Sequence, residues 1–177
     1  MHTFYHAEQW LPYSVEQVFA FFSNPENLPR LMPKWQAARI DHATYGPPPP
    51  RLEGSTPHPG IVAGNGSLLT LTFRPLPLSP VRLSWDAAIA DFIWNRQFCD
   101  TQLRGPFHFW HHCHKVCASD DPATGAQGTM LRDEVEFQLP FEPLSRVVLP
   151  LVRAQLNSMF RLRQKRTLEL LALAASE

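Results

Sequence analysis

The spacing of apolar residues changes period once along this chain. From Ser67 to Leu139 apolar side chains recur at alternate positions in stretches broken by proline, glycine and aspartate; from about Ser145 to Ala174 they recur at helical spacing. Consecutive strands with short connections build an antiparallel meander. A single long helix after them has one place to bury its apolar stripe, the concave face of that sheet. The expected class is α+β, with a curved antiparallel sheet wrapped around a C-terminal helix.

The individual elements follow from local chemistry. Thr3 to Leu11 alternates aromatic residues and stops at Pro12, as a first strand does. Ser14-Val-Glu-Gln17 has the form of a capping box, so a helix begins there, with Val15, Val18, Phe19 and Phe22 on one face. Asn24-Pro25 starts a second short helix that runs into Met32-Pro33. Further strands are expected over Trp35–Tyr45, Ser67–Arg74, Val81–Phe92, Arg96–Leu103, Phe107–Ala118 and Thr129–Leu139, about seven in all. On the final helix Leu149, Val152, Leu156, Met159, Phe160, Arg163, Leu170 and Leu171 gather on one side, and Pro150 fits only in its first turn. Between Pro47 and Pro59 the chain is too proline-rich for ladder pairing. A stiff surface loop at the mouth of the fold is expected there, the other reading being a polyproline ligand for a protein partner.

Composition narrows the class of function. With 177 residues, 44% of them hydrophobic, the chain makes one domain over residues 1–177 with a real core. Its 16 basic and 16 acidic side chains cancel, so no global positive field holds a phosphate backbone, and nucleic acid is not an expected partner. No 20-residue apolar span and no secretory leader pattern is present, which leads to the expectation of a soluble, cytoplasmic protein without integral membrane association. Cys99, Cys113 and Cys117 are an odd set, and a disulfide framework is not expected. Cys113 and Cys117 stand about 13 Å apart along a strand, too far to share a metal ion or a disulfide. No phosphate loop, nucleophile elbow, His-Glu-x-x-His or four-cysteine pattern occurs, so hydrolase, kinase and dehydrogenase chemistry lacks its usual support and no cofactor is expected.

The densest candidate chemistry is Trp110-His-His-Cys-His114. Strand alternation sends Trp110, His112, His114 and Val116 to one face, and Phe109, His111, Cys113 and Cys117 to the other. Pairing with Thr129–Leu139 sets His114 opposite Asp133, His112 opposite Val135 and Val116 opposite Leu131, with Asp133, Val135 and Phe137 facing the interior. Three readings fit His112, His114 and Asp133. Imidazoles about 6.6 Å apart along the strand could chelate a metal with Asp133. A His114–Asp133 pair could act as acid/base and orienter. The plainest reading is that the groups satisfy one another as buried polar atoms and orient a ligand. Asp100 and Gln102, on the face of Phe98, are expected to extend this polar strip, or else to lie on the surface. Trp85, Ile89, Trp110, Phe137, Leu156, Met159 and Phe160 are expected to form the apolar wall, with Phe98 and Val135 beside them. The basic run Arg161-Leu-Arg-Gln-Lys-Arg166 reads as a solvated helix face.

Ala20-Phe-Phe-Ser-Asn-Pro-Glu-Asn-Leu28 with Met32-Pro33, Trp85 and Ile89, Phe98-Cys-Asp-Thr-Gln102 leading to Gly105-Pro-Phe107, Trp110-His-His-Cys-His114, and Gly128-Thr-Met-Leu-Arg-Asp133 together resemble the START-like helix-grip superfamily. The likeness is to its SRPBCC branch of polyketide cyclase/dehydrase-like ligand-binding proteins, over nearly the whole chain. It implies a helix-grip fold enclosing a small hydrophobic molecule, lipid-like or polyketide-like, between the C-terminal helix and the sheet. The Pro47–Pro59 insertion departs from the pattern. The alternative function is a cyclase/aromatase or dehydratase-type enzyme in which His114, supported by Asp133, moves protons.

Overall fold

The computed structural model describes residues 2–51, 58 and 60–174. Strand β1 (Thr3–Leu11) is followed by α1 (Val15–Ser23), a 3₁₀ turn at Pro25–Asn27 and α2 (Leu28–Leu31). Strands β2 (Arg39–Thr44), β3 (Leu68–Phe73), β4 (Leu83–Ile93), β5 (Gln97–Arg104), β6 (Phe109–Asp120) and β7 (Gln127–Gln138) come next, and α3 (Leu149–Ala174) closes the chain. The sheet is antiparallel throughout, in the order β1-β7-β6-β5-β4-β3-β2. This is the α+β helix-grip architecture.

Local signals account for most boundaries. The Ser14 hydroxyl accepts from Gln17 N–H while the Gln17 side chain accepts from Ser14 N–H, the reciprocal cap that starts α1. The β6–β7 register sets His114 opposite Asp133, His112 opposite Val135 and Val116 opposite Leu131, as alternation predicts. Register shifts between Ile40 and His42 in β2, and in the β4–β5 pair after Asp86 and after Ala90, mark the bulges that bend a sheet and increase its twist.

Two boundaries depart from expectation. The strand expected from Trp35 begins at Arg39, because Pro33 leads into a 3₁₀ turn at Lys34–Gln36 that Ala37 ends with φ of 45°. The final helix is regular only from Leu149. Residues Leu144–Val148 form a 3₁₀ turn, and Pro150 occupies the first helical turn, where its missing N–H has no intrahelical partner to lose.

The core has two parts. One gathers Leu11, Val18, Phe19, Phe22 and Leu131 between α1 and the sheet. The other packs Leu156 and Phe160 of α3 against Trp110, Val135 and Phe137. Side-chain amides clamp α3 to the edge strand: Gln9 Nε2 donates to Gln164 O at 2.9 Å, and Gln164 Nε2 donates to Glu8 O at 3.0 Å. Between these two zones α3 stands off the sheet and leaves a space.

The cysteine expectation is corrected. Cys99 and Cys113 are directly opposed on β5 and β6 and form a disulfide, with Cα atoms 4.0 Å apart, leaving Cys117 as an exposed free thiol. Comparing only Cys113 with Cys117 overlooks this, since cross-strand neighbours are remote in sequence. Disulfides persist chiefly in oxidising compartments, whereas the sequence reading, from the missing leader pattern and apolar span, expected a cytoplasmic protein. Among the described residues no helix is long and apolar enough to cross a membrane. Of the proline loop, Trp94 Nε1 donates to Pro49 O at 2.7 Å and Arg51 lies over the Trp94 ring. Residues 52–57 and 59 lie outside the described residues, and the reading of the whole loop as a stiff surface element or a partner ligand rests partly on them.

Candidate functional site

The space between α3 and the concave face of the sheet is a cavity of about 530 Å³. Its walls are apolar over most of their area, with Trp85, Ile89 and Phe98 from the sheet and Leu156, Met159 and Phe160 from α3. Val152 and Met159 are half-buried, as residues bordering open space are, whereas Leu156 and Phe160 are buried. Val135 and Phe137 are fully buried in the core rather than on the cavity lining.

One wall carries a continuous chain of polar groups, each delivered by its strand's alternation. Trp110 Nε1 donates to Asp100 Oδ1 at 3.3 Å. Asp100 Oδ2 lies 3.2 Å from His112 Nδ1, and His112 Nε2 lies 3.0 Å from Asp133 Oδ1. The same oxygen takes His114 Nδ1 at 2.5 Å. Finally Arg163 of α3 brings a terminal nitrogen to 3.4 Å from His114 Nε2. The two imidazole centroids are 4.1 Å apart, closer than strand rise alone suggests, because both rings turn toward the shared carboxylate.

The protonation states follow from this order. Both His112 nitrogens face carboxylates, so both carry protons. Burial works against that cation, but the hydrogen bonds and charges of Asp100 and Asp133 outweigh it and raise the His112 pKa. Burial likewise opposes charge on Asp133, yet Arg163, His114 and His112 hold its carboxyl well below the usual range. Asp100 is also lowered, the His112 hydrogen bond overcoming burial. His114 goes the other way. Burial, His112 and Arg163 press its pKa down to about 4, so near neutral pH it is uncharged, with its Nδ1 proton on Asp133 and its Nε2 lone pair toward Arg163. Two carboxylates then balance two cations, His112 and Arg163.

This balance bears on the metal reading. Asp100, His112 and His114 offer ligand atoms within 4.8 Å of one another. A metal would need a lone pair on His112, whose two nitrogens both serve carboxylates, and would sit beside the Arg163 cation. The donor set therefore does not fit a cation site.

Two placements differ from the sequence reading. Gln102 does not reach the cavity. Its amide donates to Phe107 O at 2.7 Å and accepts from Phe107 N, bracing the β5–β6 turn around Gly105, where any Cβ would strike the Gln102 side chain. Arg163 leaves the solvated group assigned to Arg161–Arg166 and borders the cavity, while Arg161 and Lys165 remain exposed. A charged residue on an otherwise apolar stripe was the available signal for it. No local pattern in the sequence marks Gln36. It is buried against the cavity, and its Oε1 has no hydrogen-bond partner among the described residues.

The model of the polyketide cyclase / dehydrase and lipid transport family matches residues 11–166. No curated protein matches the sequence. Among solved structures, norcoclaurine synthase from Thalictrum flavum aligns at a TM-score of 0.60 and 15% identity, covering 97% of this chain and 87% of that one. TTHA0849 from Thermus thermophilus aligns at 0.59 and 12%, covering 99% and 100%. Ara h 8.0201 aligns at 0.58 and 16%, covering 96% and 99%. At such identities the likeness is one of fold.

Proposed function

The chain belongs to the polyketide cyclase / dehydrase and lipid transport family, and from that premise we propose that it works as a single domain that encloses a small hydrophobic molecule, lipid-like or polyketide-like, between α3 and the sheet. The observation that carries this reading is the cavity of about 530 Å³, apolar on most sides with one polar wall. Its size is that of small-molecule sites, and a few convergent polar groups in an apolar pocket fix a ligand's orientation. Trp85, Phe98, Met159 and Phe160 supply the apolar contact, and the polar wall, in which His112 holds Asp100 and Asp133 in place, orients the ligand.

The enzyme alternative assigns His114 the role of base with Asp133 behind it. Its pKa of about 4 makes it a weak base at neutral pH, where efficient proton transfer favours a pKa near the working pH. Binding asks no such strength of it. Norcoclaurine synthase has been crystallised with dopamine and hydroxybenzaldehyde, so aromatic amines and aldehydes belong in the screen.

Native mass spectrometry of freshly purified protein, followed by titration of fatty acids, quinones, aromatic polyketides, and aromatic amines and aldehydes, tests the proposal. Trp85 and Trp110 border the cavity and report occupancy by fluorescence. A co-purified small molecule, or saturable quenching by one class, is expected. Absence of both overturns the reading.

A further inference from the structure

Arg163 is a cation on the polar wall whose charge is balanced only at a distance. It has no carboxylate within ion-pair distance among the described residues, and its Nε is buried without a hydrogen-bond partner. Its guanidinium carbon is 5.1 Å from the Phe22 ring centroid and 5.8 Å from that of Phe160, so aromatic faces hold it at the cavity rather than in solvent. A guanidinium fork so placed suits a planar two-oxygen acceptor.

Resting on the proposed reading of the cavity, we propose that this wall takes the carboxylate of an amphipathic acid, one oxygen on the Arg163 guanidinium and the other on His114 Nε2, with His114 gaining a proton from solvent as the acid enters. The charge count requires the proton. Asp100 and Asp133 already balance His112 and Arg163, and a further anion would leave a buried net charge.

His114 is the group placed to correct that. Facing it are Asp133 from β7, His112 from β6 and Asp100 from β5, with Arg163 from α3. On β1, Tyr5 couples to Asp133, and burial together with that charge keeps its phenol neutral. Among the described residues, helix α1 adds the uncharged ring of Phe22, and β5, besides Asp100, adds that of Phe98. Burial and the two cations keep His114 unprotonated in the free protein; an anion at its Nε2 offsets those cations and turns the nitrogen into a donor. One proton matches one carboxylate. A dianionic phosphate would demand a second proton, which would have to go to Asp100 or Asp133, both of which their cationic neighbours hold ionised. The acid's apolar body then runs away from the polar wall along Phe98, Leu156 and Met159.

The test compares dodecanoate with dodecanol, which have the same chain length and differ in the head group. Affinities are measured by calorimetry at pH 6 in buffers of different ionisation enthalpy. The wild type is expected to bind dodecanoate roughly tenfold or more tighter than dodecanol, as charge-assisted hydrogen bonds imply, and to take up close to one proton per acid bound. Arg163→Gln should bring the affinity ratio near unity, Arg163→Lys should keep part of it, and His114→Gln should remove the proton uptake. In the wild type alone, absence of either the affinity preference or the proton uptake overturns the proposal even where a variant does not fold. Equal affinity for both probes, unchanged in Arg163→Gln, overturns the carboxylate proposal and leaves hydrophobic binding standing. Uptake that persists in His114→Gln means the acid enters neutral, which also overturns it. Failure of both probes to bind overturns this proposal, while the cavity reading stands or falls by the wider screen of ligand classes.

Discussion

His114 Nδ1 stands 2.5 Å from Asp133 Oδ1 across the β6–β7 ladder, a contact set by a register that puts the two residues directly opposite. The same oxygen also serves His112, so one buried carboxylate holds two imidazoles and offsets the charge of Arg163. Asp133→Asn keeps the shape and removes the charge, leaving two buried cations with only Asp100 to balance them. Breaking such a set costs about 3–5 kcal/mol. Urea denaturation at pH 7 should show a lower midpoint at an unchanged slope, and a loss below about 1 kcal/mol would contradict the charge assignment.

Stability should fall on both sides of neutrality. His114 titrates near 6.5 when unfolded but at about 4 when folded, so between those values the unfolded chain binds more protons, and acidification costs ~3 kcal/mol. Asp133 and Asp100, both lowered, contribute stability that is present above about pH 4 and is lost as pH drops through their folded values, deepening the acid limb. His112 is raised; its contribution is full below about pH 6.5 and is lost as pH rises through its folded value. Denaturation curves from pH 3.5 to 9 should trace this dome, and His114→Gln should flatten it between about pH 4 and 6.5. An unflattened curve would contradict the lowered His114.

Leu156 is 3% exposed and touches both the Trp110–Phe137 cluster and the cavity. Leu156→Ala should cost about 2–5 kcal/mol, toward the lower end because the neighbouring space is already open. Ligand affinity should change more than stability. Paired denaturation and binding measurements check this, and a variant that alters neither would place the helix elsewhere.

The Cys99–Cys113 link closes a loop of 14 residues in sequence separation, for which chain entropy gives at most about 3 kcal/mol. Dithiothreitol should lower the thermal midpoint of the wild type and have no effect on a Cys99→Ala/Cys113→Ala variant. Cys117→Ser should leave both the midpoint and its response to reductant unchanged.

Strand alternation and turn chemistry carried much of the site in local sequence. The Ser14–Gln17 cap, the inward set Trp110, His112 and His114, and the facing of His114 by Asp133 depend on residues close in the chain or joined by one hairpin. A period of two determines the face, and a tight β6–β7 connection determines the partner.

What local pattern determined, then, was which way each side chain points; what the tertiary structure decided was what it meets. Helical spacing placed Arg163 on the apolar stripe, but its approach to His114 depends on where α3, clamped through Gln164 to β1, crosses β6. Alternation put Gln102 on the inner face, and the turn at Gly105 then claimed its amide. Cys99 found Cys113 through the β5–β6 register, fourteen positions away in sequence. Backbone periodicity is a property of a few consecutive residues, whereas contacts across the cavity depend on sheet curvature and helix placement, which the whole packed chain sets together.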